Sequence, residues 1–156
     1  MKKKYLLSVV SSVTIEKDIA FVSNAVCNIE RWSTLSKNFE DSEILINSGN
    51  RMLTRIQSHH NSMSFERYTY REIFPENHMY FRHLTTKFPI KTHYGTWNFN
   101  RIDEMKTEVQ LEHIFKLSCG ILGYIFGKFI ISPFFFKYPV KKMLLDFKQN
   151  IEKQKG

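Results

Sequence analysis

Two arginines four residues apart, Arg67 and Arg71, stand in a run that alternates from Met63 to Phe74. Period two puts Met63, Phe65, Arg67, Thr69 and Arg71 on one face of a strand. Ser64, Glu66, Tyr68, Tyr70 and Glu72 take the other. If the odd face turns inward, two guanidinium groups enter the interior beside Phe65. A buried arginine is costly unless it meets an anion, water or a carbonyl-rich ligand. Such a face would bind and polarise carbonyl oxygens. If the even face turns inward, Tyr68 and Tyr70 line the interior instead. Alternation by itself leaves both faces open.

Other chemistry is sparse. There is no Gly-rich phosphate loop, no G-x-S-x-G elbow, and no H-E-x-x-H or C-x-x-C spacing. The six histidines are scattered, and His59-His60 falls in a predicted turn where neighbours point apart. No metal site and no cofactor are expected. His93, Trp97 and His113 fall on inward faces of their predicted strands, where ordinary core burial is the plain alternative to a pocket role. Cys27 and Cys119 are too few for a disulfide framework and read as free thiols in a reducing compartment.

The elements that must position these residues follow from composition and pattern. A chain of 156 residues, 42% hydrophobic and 15% aromatic, suits one domain over 1–156 with a proper core. Its net charge of +8 favours acidic partners or simply aids solubility. No zinc-finger, helix-turn-helix or RNP pattern accompanies the charge, so nucleic acid is not expected. The start, Met1-Lys2-Lys3-Lys4 and then Tyr5–Val10, has the charge and apolar order of a signal peptide. Ser8, Ser11 and Ser12 break the apolar stretch, no cleavage site follows, and the segment reads as a first strand. A cytoplasmic protein is the expectation.

Thr14 is a plausible N-cap for a helix over Glu16–Cys27, with Ile19, Val22, Ala25 and Val26 on one face. A short helical turn, Ile29–Leu35, follows, and Trp32 and Leu35 plug one end of the sheet. Strands are expected at Glu43–Asn47, Arg51–Ser58, Met63–Phe74, His78–Thr86, Thr92–Ile102 and Thr107–Leu117. Ser48-Gly49-Asn50, His59–Ser62 and Pro75-Glu76-Asn77 supply turns, because Gly, Asn and Pro suit turn dihedrals. Pro89 makes the link near Phe88–Ile90 irregular.

The stretch Ile121–Phe136 is very apolar, but Lys128, two glycines and Pro133 cut it short of a spanning helix. It reads as the buried start of a closing helix, or as a mobile lid or membrane-touching edge. Val140, Leu144, Leu145, Phe147 and Ile151 then give a helix with a core face among lysines that include Lys137, Lys141, Lys142, Lys148, Lys153 and Lys155. A strand, a helical cap, a meander and one long terminal helix is the order of an α+β helix-grip fold. There a curved antiparallel sheet wraps the last helix around an internal cavity, the default place for a ligand.

Four segments carry a family resemblance. Asn28-Ile29-Glu30-Arg31-Trp32 is similar to a D-V-E-x-W-P signature, with Ser33 where proline is usual. Tyr70–Pro75 is similar to an E-R-x-L-x-P strand end. Phe88-Pro89 through Trp97-Asn98-Phe99 resembles a G-P-F … W-x-Y segment, and Gly120–Pro133 resembles a glycine-then-proline entry to the last helix. In this order they resemble the polyketide cyclase/aromatase branch of the START-like (SRPBCC, Bet v 1-like) superfamily, over nearly the whole chain.

The resemblance implies a pocket arginine at Arg71, which selects the odd face and brings Phe65, Arg67 and Thr69 with it. It places an aromatic partner at Phe39, which lacks the hydroxyl of a tyrosine acid/base. A second pocket arginine falls near Leu84, and Arg82, of the same parity, is taken to substitute. Arg71, Arg82 and His113 are thus the expected catalytic residues. Trp32, Phe39, Phe65, Arg67, Thr69, His93 and Trp97 are the expected substrate contacts. The implied activity is aldol closure and dehydration of a poly-β-ketone tethered to an acidic acyl carrier protein, beside polyketide synthase components. The alternative is a non-enzymatic lipid or quinone carrier of the same fold, with peripheral membrane contact through Ile121–Phe136.

Overall fold

A computed structural model describes residues 5–60, 63–118 and 120–154. Cys119, Lys155, the first lysines and the tip of the expected His59–Ser62 turn lie outside these residues. Seven strands form one antiparallel sheet: β1 (Leu6–Ile15), β2 (Phe39–Ser48), β3 (Arg51–His60), β4 (Met63–Phe74), β5 (His78–His83), β6 (Ile90–Asp103) and β7 (Lys106–Leu117). Their order across the sheet is β1-β7-β6-β5-β4-β3-β2. Consecutive hairpins therefore run from β2 to β7, and β1 returns to pair with β7 along its whole length. Gly49 and Glu76 take positive φ (66° and 57°) in two of the hairpin turns.

Between β1 and β2 lie α1 (Ile19–Cys27), a 3-10 turn (Ile29–Arg31) and α2 (Trp32–Leu35). The cap of α1 is Asp18, whose Oδ1 accepts from the Phe21 amide at 2.9 Å. Thr14, the expected cap, is instead a strand residue, because β1 stays paired with β7 as far as Ile15 opposite Thr107. Strands β2, β3, β6 and β7 run one to five residues past their expected ends, and β5 stops three short, at His83. Backbone pairing decides these ends, and local composition marks them only loosely.

The closing unit is helical from Gly120 to Glu152, in three parts. They are α3 (Gly120–Phe126), a π-helical segment (Gly127–Lys137) and α4 (Tyr138–Glu152). Pro133 has no N–H to give to an α-helical ladder. The wider π turn accommodates it, and its carbonyl accepts from the Tyr138 amide five residues on. Gly127 lets the segment pack closely on the sheet: a Cβ would meet the Leu117 side chain at 2.6 Å and that of Leu7 closer still, so both leucine ends would have to shift. Val140, Leu144, Phe147 and Ile151 recur at helical spacing and are buried against the sheet. Lys148 Nζ donates to the Thr14 carbonyl (2.7 Å), Ser36 Oγ to Asp146 Oδ2 (2.8 Å), and Asn150 Nδ2 to the Leu35 carbonyl (2.9 Å). These bonds tie α4 to β1 and to the end of α2.

Candidate functional site

The inner face of the sheet is set by alternation. Arg71 and Thr69 of β4 are almost fully buried, with Thr54 of β3, Met79 and Phe81 of β5, and Trp97 and Phe99 of β6. The odd face of β4 is therefore the inward one.

Arg71 is held without an acid. Its Nε donates to Thr54 Oγ1 at 3.2 Å, and Thr54 in turn donates to the Thr69 carbonyl at 3.2 Å. One terminal nitrogen lies 3.8 Å from Met79 Sδ. The guanidinium carbon sits 4.7 Å from the Trp32 ring centre and 6.0 Å from that of Phe81. Among the described residues no carboxylate pairs with it. Burial pushes its pKa down to about 9, so it stays cationic at neutral pH. The partly buried thiol of Cys27 is pushed up to about 11 by burial, against a smaller pull from Arg71, and remains protonated.

Beside this arginine lies a cluster built from three strands: His83 on β5, His93 on β6 and His113 on β7. Pairing brings them together, since Phe81 lies opposite Gly95, and Gly95 opposite His113. His93 Nε2 and His113 Nδ1 are 2.8 Å apart, sharing one proton. His83 Nδ1 is 2.8 Å from Thr69 Oγ1, and the His83 and His93 rings are centred 4.5 Å apart. Phe81 touches all three rings from one side, at 5.4 to 6.0 Å. Phe136 of the π segment packs against His93 and His113 at 5.1 and 5.4 Å. Among the described residues His113 Nε2, which is buried, has no hydrogen-bond partner.

Burial, and then the Arg67 charge, holds His113 down to about 3. Burial chiefly, with Arg67 and neighbouring histidines adding to it, holds His83 and His93 well below 6.5. All three are neutral imidazoles at neutral pH, each with one N–H and one bare nitrogen. With both rings neutral, His113 Nε2 carries its N–H when His93 Nε2 donates to His113 Nδ1 and is bare when His113 Nδ1 donates. Passing from one arrangement to the other also takes the proton off His113 Nε2 and places one on His93 Nδ1. Among the described residues no group of His, Cys, Asp and Glu is arranged to hold a metal ion.

Several expected contacts have other jobs. Trp97 stacks on Phe147 (5.7 Å, 20°), and Trp32 fits between Trp97, Phe39 and Phe147 at 4.9 to 5.6 Å. The Trp32 indole N–H donates to the Val26 carbonyl at 2.8 Å. These rings plug one end of the sheet, with Arg71 lying on the inner side of Trp32. Phe65 and Arg67 are half-buried near the other end, the guanidinium 5.7 Å from the ring. Burial lowers the Arg67 pKa.

Arg82 must be corrected. It is exposed on the outer face of β5, between Tyr70 and Tyr94 in register, because Met79, Phe81 and His83 take the inner face. The alternation Met79-x-Phe81-x-His83 was the signal for that parity, and it identifies His83. The internal cavity expected between sheet and helix is not seen among the described residues. Phe115 and Phe136 stack at 4.3 Å across the interior beside His93. A hollow of about 140 Å³ reaches His83 and His93 from outside, between the end of β5 and the start of β6, with Arg82, Leu84, Thr86 and Lys91 also lining it.

No protein-family model matches the chain, and no curated protein matches it in sequence. Solved structures do match in shape. The Zhui aromatase/cyclase from Streptomyces sp. R1128 superposes with a TM-score of 0.81 at 16% identity, over 95% of this chain and 94% of that one. TTHA0849 from Thermus thermophilus gives 0.77 at 19% identity, over 93% and 97%. A START superfamily protein from Mycobacterium smegmatis gives 0.67 at 12% identity, over 93% and 94%. At these identities the likeness establishes the fold: the chain has the START-like helix-grip architecture.

Proposed function

We propose that this START-like chain is a dehydrating cyclase, closing a ring in a poly-β-ketone delivered on an acyl carrier protein. The observation that carries the reading is Arg71, a buried cation with no carboxylate partner among the described residues, one ring away from three neutral imidazoles. A fixed cation in an apolar setting stabilises an oxyanion far more than it would in water. The similarity in shape to an aromatase/cyclase supports the same reading.

The reaction needs no oxidant. A proton leaves the carbon between two carbonyls, and the enolate oxygen is held against the Arg71 guanidinium. The enolate carbon bonds to a ketone carbon further along the same chain, whose oxygen becomes an alkoxide and takes a proton. Loss of that hydroxyl with a neighbouring proton leaves a carbon–carbon double bond and water. Folding the chain in the site replaces an encounter between separate molecules with an internal one. His93 and His113 move the protons. Burial and Arg67 disfavour an imidazolium there, so each histidine hands a proton on readily but is a weak base. It takes a proton from carbon only because Arg71 stabilises the enolate that forms. Substrate reaches the imidazoles by the hollow between β5 and β6, and a long chain needs Phe136 to give way. The net charge of +8 suits an acidic carrier protein. A carrier of lipid or quinone would favour an apolar interior, and the buried arginine and imidazoles argue against it.

The test is incubation of the purified protein with a carrier-bound poly-β-ketone made by an active synthase, followed by mass spectrometry of the products. Wild type is run beside Arg71→Ala. A cyclised, dehydrated product that needs both the protein and Arg71 is expected. The same product mixture with and without protein would overturn the reading.

A further inference from the structure

The closing unit is apolar on both sides. Gly123, Gly127, Ile131, Phe136 and Val140 form a buried stripe against the sheet. On the opposite side the pairs Ile121/Leu122, Ile125/Phe126, Phe129/Ile130 and Phe134/Phe135, and then Tyr138, are exposed. Both stripes step by four residues, with one step of five inside the π segment. A π turn holds more residues than an α turn, and this keeps each stripe on its own side. Leu122, Phe129 and Tyr138 are 73%, 67% and 64% exposed. An apolar patch of this extent on a folded surface marks a membrane or protein contact.

Charge decides between the two. From Gly120 to Leu145 there is no acidic residue, while Lys128, Lys137, Lys141 and Lys142 lie along the same stretch. Lys128 and Lys137 line a hollow of about 450 Å³ between this segment and the edge strand β1, with Tyr124 and Ser132 beside them. Apolar rings flanked by lysines complement an anionic bilayer surface: rings enter the acyl boundary and ammonium groups meet headgroup phosphates. A two-fold contact with a second copy would bring the same lysines toward each other without an acid to pair them.

The helix Gly120–Glu152 is long and apolar enough to cross a membrane by length and composition. Its second half is committed elsewhere, with Leu144, Phe147 and Ile151 buried in the core. We propose that the exposed face of Ile121–Tyr138 lies in the plane of an anionic membrane, the rings embedded and Lys128 and Lys137 on lipid phosphate. The proposal is independent of the reaction argued above.

The test is co-sedimentation of the intact protein with phosphatidylcholine vesicles, with and without phosphatidylserine, at low and high salt. Wild type is run beside Phe129→Asp with Phe134→Asp, and Lys128→Glu with Lys137→Glu. These side chains are exposed, and circular dichroism melts check that folding is kept. Wild type should pellet with the anionic vesicles and less so in high salt. The phenylalanine pair should weaken partitioning about a hundredfold or more, on the order of what burying two such rings supplies. Each lysine reversed should weaken it by about fivefold or more. Protein left in the supernatant with both vesicle types would overturn the proposal. So would binding unaffected by either pair, or a dimer in sedimentation velocity that Phe129→Asp with Phe134→Asp dissociates.

Discussion

His93 Nε2 lies 2.8 Å from His113 Nδ1, and the far nitrogen of His113 is buried without a partner among the described residues. Two imidazoles in this contact can share one proton comfortably but cannot both be charged beside Arg67 and Arg71. The unfolded chain has no such restriction.

The consequence is a pH dependence of folding. Above about pH 6.5 the imidazoles are neutral in both states and contribute no slope. Below it the unfolded chain binds protons that the folded cluster refuses, so stability falls as the pH drops toward about 3, where His113 itself titrates. Each histidine held neutral costs about 1.4 kcal/mol per pH unit in that window. Urea unfolding at neutral pH and at about pH 5 should show His113→Gln losing about 2 kcal/mol less than wild type. Equal losses would mean that His113 is not held neutral.

Arg71 should oppose stability while serving the reaction. Among the described residues its buried charge has no counter-ion. Even buried ion pairs can be replaced by apolar side chains at no loss or with a gain of ~1–4 kcal/mol, and an unpaired cation has less attraction to lose. Arg71→Met should therefore keep or raise the midpoint of denaturant unfolding while abolishing ring closure. A loss of more than about 2 kcal/mol would show that the contacts with Thr54, Trp32 and Phe81 outweigh the desolvation.

Gly95 fixes the floor of the histidine cluster. A Cβ there would come within 2.7 Å of the Phe81 ring and collide with the Glu112 carbonyl. Gly95→Ala should destabilise by ~1–3 kcal/mol, the usual cost of overpacking. Because Phe81 must shift, turnover should fall as well. Unchanged thermal unfolding would show that the strand absorbs the extra methyl.

The two faces of β5 should behave oppositely. Arg82→Ala removes an outward side chain, so stability should change by no more than about 0.5 kcal/mol. Because Arg82 lines the hollow that reaches His83, its loss should act on KM and leave kcat nearly unchanged. His83→Phe, one residue on, strips the partner from Thr69 Oγ1 inside the cluster and should slow turnover by about 10²-fold or more if His83 shares in proton movement. Matching effects at the two positions would show that the β5 parity is not what organises the site.

Much of this was legible in the residues alone. Strict alternation in β4 put Arg67, Thr69 and Arg71 on one face, and the turn residues around Gly49 and Glu76 divided the meander correctly. Periodicity is a local property, which neighbouring residues suffice to display. Sidedness and register are different. Which face of β4 turned inward depended on what the sheet wraps, and alternation itself left it open. The resemblance sets the parity of β5 wrongly, from Leu84, which lies past the strand's end, where alternation no longer binds.

The histidine cluster belongs wholly to the tertiary structure. His83, His93 and His113 are ten and twenty residues apart, and only the pairing of Phe81 with Gly95 and of Gly95 with His113 makes them neighbours. The closing helix divides in the same way. Its sequence determined that Ile121–Phe136 is very apolar, with Lys128 as its one charge; packing decided which stripe the sheet covers and which one is left for water or lipid. Composition sets how much apolar surface a segment carries, while only the positions of the other elements decide where that surface can be buried.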